Sequence, residues 1–428
     1  MPNSNYGLMR AHVKKQSPTT SFGSPLHANS GLSKDEKDQL KKDFQKNYGN
    51  NGNERIPPAQ GEPTWNLTDI LKAEDVQKIV DSGQLTFHTV GDTGFDSMPS
   101  YLDNSEQTIS WNKINSSFQS GLKTVAQAMS ADIDPNNVEN GPAFFLHLGD
   151  VIYYDNTRHG YAEQFYDPFS GYNRKIIAIP GNHDVEVRLS QQNSPLEAFL
   201  ENFCHNEPWI PPASRDISPP REMVAQPACY WRLETPFVRI IGLCSNVGEN
   251  DGGTLEDPNT GPEQYAWFKQ TMADVAANPT DAKGNRIPLL IAVHHPPFTH
   301  GNHDPSVQLS NQLDAVFKTT VWPDAVLAAH DHNEQRFTRT IDIGGKSVDI
   351  PYFVVGCGGR FSSQFAKSPP KEPPYNPGVE LNHFGAGNGY MTVSVRRDRI
   401  VFDYRALDHL DQNTSERVTL DLDTRQIR

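Results

Sequence analysis

Apolar runs of strand length recur along this chain, and each stops at a short cluster of Gly, Asp, Asn or His. Leu85–Val90 stops at Gly91-Asp92-Thr93-Gly94, Ala143–Leu148 at Gly149-Asp150, and Ile176–Ile179 at Gly181-Asn182-His183-Asp184. Farther on, Leu289–Val293 stops at His294-His295-Pro296, Ala325–Ala329 at His330-Asp331-His332, and Tyr352–Val355 at Gly356-Cys357-Gly358-Gly359. Helical periodicity fills the intervals. Ile70, Leu71, Val76, Ile79 and Val80 predict a helix over 68–82, and Trp267, Phe268 and Met272 mark one face of a helix over 264–276. Two further helices are predicted over 116–129 and 195–204. Cys229–Leu233 and Val238–Leu243 read as strands, and Met391–Val395 and Ile400–Tyr404 as a hairpin around Arg396–Arg399. Strands alternating with helices predict an α/β architecture. About ten strands exceed what one strongly twisted open sheet usually carries. The expectation is two packed mixed β-sheets flanked by helices, four layers in all.

The first 60 residues are polar and lack apolar patterning, apart from a charged stretch at Ser33–Tyr48 of possible helical form. They predict a loosely attached arm. Residues 61–410 form the expected catalytic domain, with a Pro-rich insertion at 186–228 and a long loop at 361–382. Residues 411–428 are expected to be a C-terminal extension. A net charge of −14 argues against nucleic acid or an anionic membrane as the main partner. The N-terminus has no apolar core of a signal peptide, and no window reaches the ~20 apolar residues of a membrane span. A cytoplasmic location is the default expectation, with secretion open if the N-terminus is a processed one. Oligomeric state is not specified. The four cysteines, Cys204, Cys229, Cys244 and Cys357, form no CxxC pair, so a thiolate zinc site is not expected. Cys204 and Cys229 could pair within the insertion, but buried thiols are the favoured reading.

Five strand ends present Asp92; Asp150 and Tyr153; Asn182 and His183; His294; and His330 and His332. Carboxylate, amide and imidazole donors together suit iron, zinc or manganese. Seven potential ligands are too many for one ion and about right for two that share a carboxylate. Alone, each of these residues would read as a turn former or a satisfied polar group. Their joint fall at strand ends is what points to a metal centre.

In order and spacing these residues resemble the calcineurin-like metallophosphoesterases, and within them the purple acid phosphatases. The motifs GDxG, GDxxY, GNH(E/D), xxxH and GHxH stand here as Gly91–Gly94, Gly149–Tyr153, Gly181–Asp184, Ile291–His294 and Ala329–His332, with Ala329 departing from Gly. The resemblance covers residues 84–406. Most of the superfamily begins with DxH, whose His binds the first metal; here Gly94 stands in its place. Tyr153 stands where the wider superfamily often has Asp. A phenolate ligand requires a strongly Lewis-acidic ion.

The resemblance implies two metals. Fe(III) would take Asp92, Asp150, Tyr153 and His332. A divalent ion (Fe, Zn or Mn) would take Asp150, Asn182, His294 and His330, with Asp150 bridging. It implies hydrolysis of small phosphate monoesters, a metal-bound hydroxide attacking phosphorus and His183 protonating the leaving group. His303 is assigned to substrate binding or proton transfer, with His300 as rival, and His295 is read as structural. His159 and His383 are candidates for the mouth of the site. Phosphodiester or nucleotide hydrolysis with the same metals is the alternative. A metal-binding partner module without catalysis is the alternative of another class.

Overall fold

The computed structural model describes residues 59, 61–94, 121–153, 158–185, 196–245, 253–256, 263–360, 378–408 and 414–428. The expected polar arm, including Ser33–Tyr48, lies outside the described residues except for Ala59. In chain order the strands are β1 (Thr64–Asn66), β2 (Leu85–Val90), β3 (Phe144–His147), β4 (Lys175–Ala178), β5 (Trp231–Glu234), β6 (Arg239–Gly242), β7 (Leu289–Ala292) and β8 (Ala325–Ala328). They continue as β9 (Glu334–Ile343), β10 (Lys346–Val355), β11 (Val379–Gly385), β12 (Gly389–Val395), β13 (Arg399–Ala406), β14 (Glu416–Asp421) and β15 (Gln426–Ile427). The main helices are α1 (Ala73–Ser82), α2 (121–131), α3 (Glu197–Phe203), α4 (Glu263–Ala277) and α5 (Val307–Phe317).

Two mixed sheets result. One runs β1-β5-β6-β7-β8-β10-β9-β11 and the other β15-β14-β13-β12-β2-β3-β4. Strands β6, β7, β8 and β10 are parallel in the first sheet, as are β2, β3 and β4 in the second. Parallel strands covered on both faces should be apolar at every position rather than alternating. Strand β7 shows why. Leu290 and Ala292 face the core between the sheets, while Leu289 and Ile291 pack with Phe268, Met272, Leu309 and Leu313 of α4 and α5. Strand β8 divides its residues the same way. Between the sheets, Phe353 meets Phe402 at 4.6 Å, and Trp231 Nε1 donates to the Ala178 carbonyl at 3.0 Å. The architecture is therefore a four-layer α/β/β/α sandwich with helices outside two mixed sheets.

Differences from the expectation are local. The helix expected over 68–82 is two pieces, a turn at Leu67–Ile70 and α1, parted by the extended Leu71 and Lys72. The turn is closed by Asp69, which accepts the Asn66 N–H at 2.7 Å. Of the expected stripe Ile79 is buried, whereas Val80 is exposed. Gly83, at φ 73°, ends α1 in the left-handed cap that glycine takes without steric cost. The hairpin β9–β10, joined at Gly344-Gly345, extends well beyond the expected Tyr352–Val355. Residues 379–382 of the expected long loop belong to β11, an edge strand whose Glu380 and Asn382 point to solvent. Residues 361–377 lie outside the described ones. All four cysteines are buried free thiols.

Candidate metal centre

The parallel strands of both sheets end at the same side, and the loops that follow them are bound to one another by backbone hydrogen bonds. Gly91 N–H donates to Val355 C=O (2.9 Å), Asp92 N–H to Gly149 C=O (3.0 Å), Ala329 N–H to His294 C=O (2.9 Å) and Gly356 N–H to Asn333 C=O (3.0 Å). Five sheet strands thus share one set of loop ends. Asp92, Asp150 and His330 sit at φ 55°, 51° and 72°. Side chains rarely take this left-handed conformation, and it persists where the surroundings over-determine it. The approach between loops is close. A Cβ at Gly91 would stand 2.5 Å from the Ala329 Cβ, so the alanine that departs from the GHxH pattern is accommodated by a glycine facing it.

One group of side chains gathers around Asp92. The Tyr153 hydroxyl donates to Asp92 Oδ1 at 2.9 Å and lies 3.1 Å from His332 Nε2, which is itself 3.5 Å from Asp92 Oδ1. Gly94 has a steric role here. A Cβ at this position would stand 2.7 Å from Tyr153 Cδ2 and 2.7 Å from the Ile152 Cα. A second group gathers around His294. Its Nε2 is 3.1 Å from Asn182 Oδ1 and 3.4 Å from Asp150 Oδ2, and its Nδ1 is 2.9 Å from the Leu148 carbonyl. One donor atom each from Asp150, His294 and His330 lie within 4.8 Å of one another. The groups adjoin: Asp92 Oδ2 accepts the His330 N–H at 2.8 Å, and Asp150 Oδ1 accepts the His183 N–H at 2.9 Å.

All seven are buried, so their charges interact strongly. Burial, with Asp150 nearby, pushes the Asp92 carboxyl up to about 7. Burial also opposes the Asp150 charge, yet His294 and His183 hold it below the usual carboxylate range. Burial would lower His294, but Asp150 and Asp92 raise it to about 9. Burial, then neighbouring imidazoles, keep His330 neutral, and burial, then Arg360, do the same for His332. Burial and the two aspartates hold the Tyr153 phenol well above its usual range. A buried set of two carboxylates, three imidazoles, an amide oxygen and a phenol is a donor set for cations. The residues present therefore fit two metal ions.

Around this set stand residues that hold it. His183, in a 3₁₀ turn at His183–Val185, places its ring 4.4 Å from that of Tyr153. His303 is exposed and its ring lies tilted against that of His330 at 4.1 Å, whereas His300 lies 6.2 Å from Phe337. Of the two rivals, His303 is the one that meets the cluster. His295 is buried, with Nδ1 3.0 Å from Ser245 Oγ. His159 is exposed beside Glu163 (3.6 Å), and His383 turns to Glu334 (2.6 Å).

Sequence reasoning missed four positioning residues. Asp184 accepts the N–H groups of Gly181 (2.8 Å) and Val151 (3.1 Å), joining two ligand loops; its carboxyl is raised to about 7 by burial and by Asp150. Asp331 accepts from the N–H groups of Asn302 (2.8 Å) and His303 (3.2 Å) and from the Thr299 hydroxyl. His147 Nδ1 accepts the Gly149 N–H (3.2 Å), which leaves its Nε2–H to donate to Thr93 Oγ1 (2.8 Å). Arg360, fully buried, lays its guanidinium 4.1 Å from the Tyr153 ring centre. Asp184 and Asp331 lie inside the motifs, which was the available signal.

Among the described residues a second group could also hold a cation: Glu334, His383 and Glu416. The chain thus carries two residue clusters capable of coordinating metal ions. No described helix is long and apolar enough to cross a membrane.

Several solved structures are similar in shape at low identity. "GAP50 the anchor in the inner membrane complex of Plasmodium" is 11% identical, with a TM-score of 0.48, covering 78% of this chain and 88% of that one. A structure of PhoD is 13% identical, with a TM-score of 0.46, covering 81% and 71%. Vps29 from Entamoeba histolytica, as a single mutant, is 10% identical, with a TM-score of 0.27, covering 79% and 100%. No curated protein matches the chain in sequence. The sequence profile of the calcineurin-like phosphoesterases matches residues 85–334, more than half of the chain and every strand-end cluster from Asp92 to His332. The chain belongs to the calcineurin-like phosphoesterase family.

Proposed function

We propose that this chain is a dinuclear-metal hydrolase of small phosphate monoesters, of the purple acid phosphatase type. The observation that carries the reading is the meeting of two donor sets, Asp92–Tyr153–His332 and Asp150–Asn182–His294–His330, in one buried place. Asp92, Asp150, Tyr153 and His332 would hold Fe(III). Asp150, Asn182, His294 and His330 would hold a divalent ion (Fe, Zn or Mn), the Asp150 carboxylate being shared. When bound, two such cations offset the charge of a phosphate ester and acidify water for in-line attack at phosphorus.

The chain's own residues do the rest. Attack adds a hydroxyl to phosphorus and breaks the bond to the ester oxygen. The His183 ring gives that departing oxygen a proton, so an alcohol leaves rather than an alkoxide. Its backbone is fixed by the N–H bond to Asp150, and its ring by contact with Tyr153. Exposed and packed against His330, His303 binds the phosphate or relays a proton at the solvent side. Asp331 fixes its backbone. The purple type rests on Gly94 and Tyr153, since a side chain at 94 would occupy the space of the phenol.

Metal analysis with a visible spectrum, together with turnover of a nitrophenyl monoester and a bis-nitrophenyl diester, tests the proposal. Two metals in the dinuclear centre, a purple or pink band and preference for the monoester are expected. Iron-loaded, oxidised protein without colour would remove the purple assignment. Faster diester turnover would remove the monoester assignment, and no turnover with two metals bound would favour a binding module.

A further inference from the structure

Glu334, His383 and Glu416 come together where β9 and β11 of one sheet approach β14 of the other. None of them belongs to the dinuclear group. Glu334 is wholly buried, with Oε2 2.6 Å from His383 Nδ1. Its other oxygen, Oε1, is buried with no hydrogen-bond partner. A buried carboxylate oxygen without a donor is costly, and native structures seldom leave one without a reason.

The neighbours are arranged as around a cation. In β11 the register to β9 slips between Leu381 and His383, Asn382 being the extra residue. Such bulges re-aim side chains, and this one accompanies the turn of His383 to Glu334. The outer ring nitrogen of His383, Nε2, is 3.1 Å from Thr414 Oγ1. Metal-binding imidazoles commonly donate their second N–H to such a partner, which fixes the tautomer. In that tautomer Nδ1 turns its lone pair towards the carboxylate and a cation between the two would bind both, whereas in the other Nδ1–H donates to Glu334 and Nε2 accepts the Thr414 hydroxyl. Glu416 is held on the other side by the Arg336 fork at 2.9 and 2.7 Å, with Oε2 3.9 Å from His383 Nδ1.

We propose that this cluster is a structural site for one divalent cation of the zinc class, bound by Glu334, His383 Nδ1 and Glu416. An imidazole with carboxylates suits zinc. Bonds of ~2.0–2.2 Å at tetrahedral angles put ligand atoms ~3.3 Å apart. The 2.6 Å gap must therefore open by ~0.7 Å and the 3.9 Å gap close by ~0.6 Å, both within side-chain rotation. Glu334 opens β9 just after His330-Asp331-His332, so the ion would tie the strand that follows two dinuclear ligands to β14 of the other sheet.

The test uses the full chain, stripped with chelator and dialysed against zinc alone, with folding checked by circular dichroism. His383→Gln and Glu416→Gln should each carry one zinc fewer per folded chain than the wild type. Zinc should also raise the Tm of the wild type more than that of either variant. Both variants leave the dinuclear ligands untouched, so a deficit of one ion reports this cluster alone. Equal zinc in all three proteins would overturn the proposal and leave an imidazolium–carboxylate pair. Should neither variant fold, wild-type crystals grown with zinc decide. An anomalous peak between Glu334 and His383 supports the site, and flat density there overturns it.

Discussion

Tyr153→Phe removes one oxygen from the centre and leaves the ring. In the metal-free chain that oxygen donates to Asp92 Oδ1 at 2.9 Å and lies 3.1 Å from His332 Nε2, in a wholly buried setting. Asp92 titrates at about 7, so at pH 8 its carboxylate is charged and acceptor-only. A hydrogen bond to a charged group contributes about 1.5–3 kcal/mol. The ring keeps its contact with the Arg360 guanidinium at 4.1 Å, so packing changes little. We expect the metal-free variant to lose about 1.5–3 kcal/mol, seen in urea unfolding at pH 8 with chelator as a lower midpoint and an unchanged slope. A loss below about 0.5 kcal/mol would show that the hydroxyl makes no such bond. On loading with iron the variant should also lack the charge-transfer band of the wild type and hold iron less tightly. If the wild type is coloured and the variant keeps the band, Tyr153 is not the phenolate ligand.

His183→Ala should keep its metals and lose ~10²–10⁴-fold in kcat, with a smaller loss on nitrophenyl than on alkyl phosphates; equal losses on both would make it a binding residue. Asp150→Asn should weaken both ions of the dinuclear pair together, and metal analysis in a His383→Gln background showing one ion fully retained would refute a shared carboxylate. Gly94→Ala should destabilise by about 1–3 kcal/mol through overpacking and displace Tyr153, and an unchanged spectrum and midpoint would contradict the 2.7 Å approach. Deletion of residues 1–60 should leave kcat within about tenfold, ~1.4 kcal/mol of barrier, and a larger fall in a folded protein would give the arm a part in the site.

The polar clusters at strand ends stand out in the sequence more plainly than the sheet edges do, for physical reasons. Strands β2, β3, β4, β7 and β8 are covered on both faces, so only Thr86, His88, Thr89, His147 and Lys175 break their apolar runs, and a polar cluster ending such a run stands out. Strand β11 lies at a sheet edge with β9 beside it, where alternation is broken by charged and amide residues, and Pro351 interrupts β10 just before its pairing with β8 begins at Tyr352. Proline in a strand reads as a breaker, so the Gly344-Gly345 hairpin was read only from its last residues. The candidate ligands stand out by residue type and spacing. Asp184 and Asp331 lie inside the same motifs, but that they accept the backbone N–H groups of Val151, Asn302 and His303 shows only once the loops meet. Arg360 left no signal either, as its contact with Tyr153 exists only once β10 and the loop after β3 meet.

Position 94 and position 153 are linked by space rather than by sequence. The backbone after β2 brings Gly94 against Ile152 and the Tyr153 ring, so near that a single added carbon would stand 2.7 Å from both. An imidazole at 94 would need that volume and more. In this backbone a histidine at 94 is therefore excluded by the Ile152 backbone as well as by the Tyr153 ring, and the ring that reaches Asp92 comes from position 153. Burial and two aspartates hold that phenol far above its usual pKa in the metal-free chain, so only a strongly charged cation could draw off its proton. The trivalent ion proposed for this half of the centre is the kind of cation that would draw off that proton.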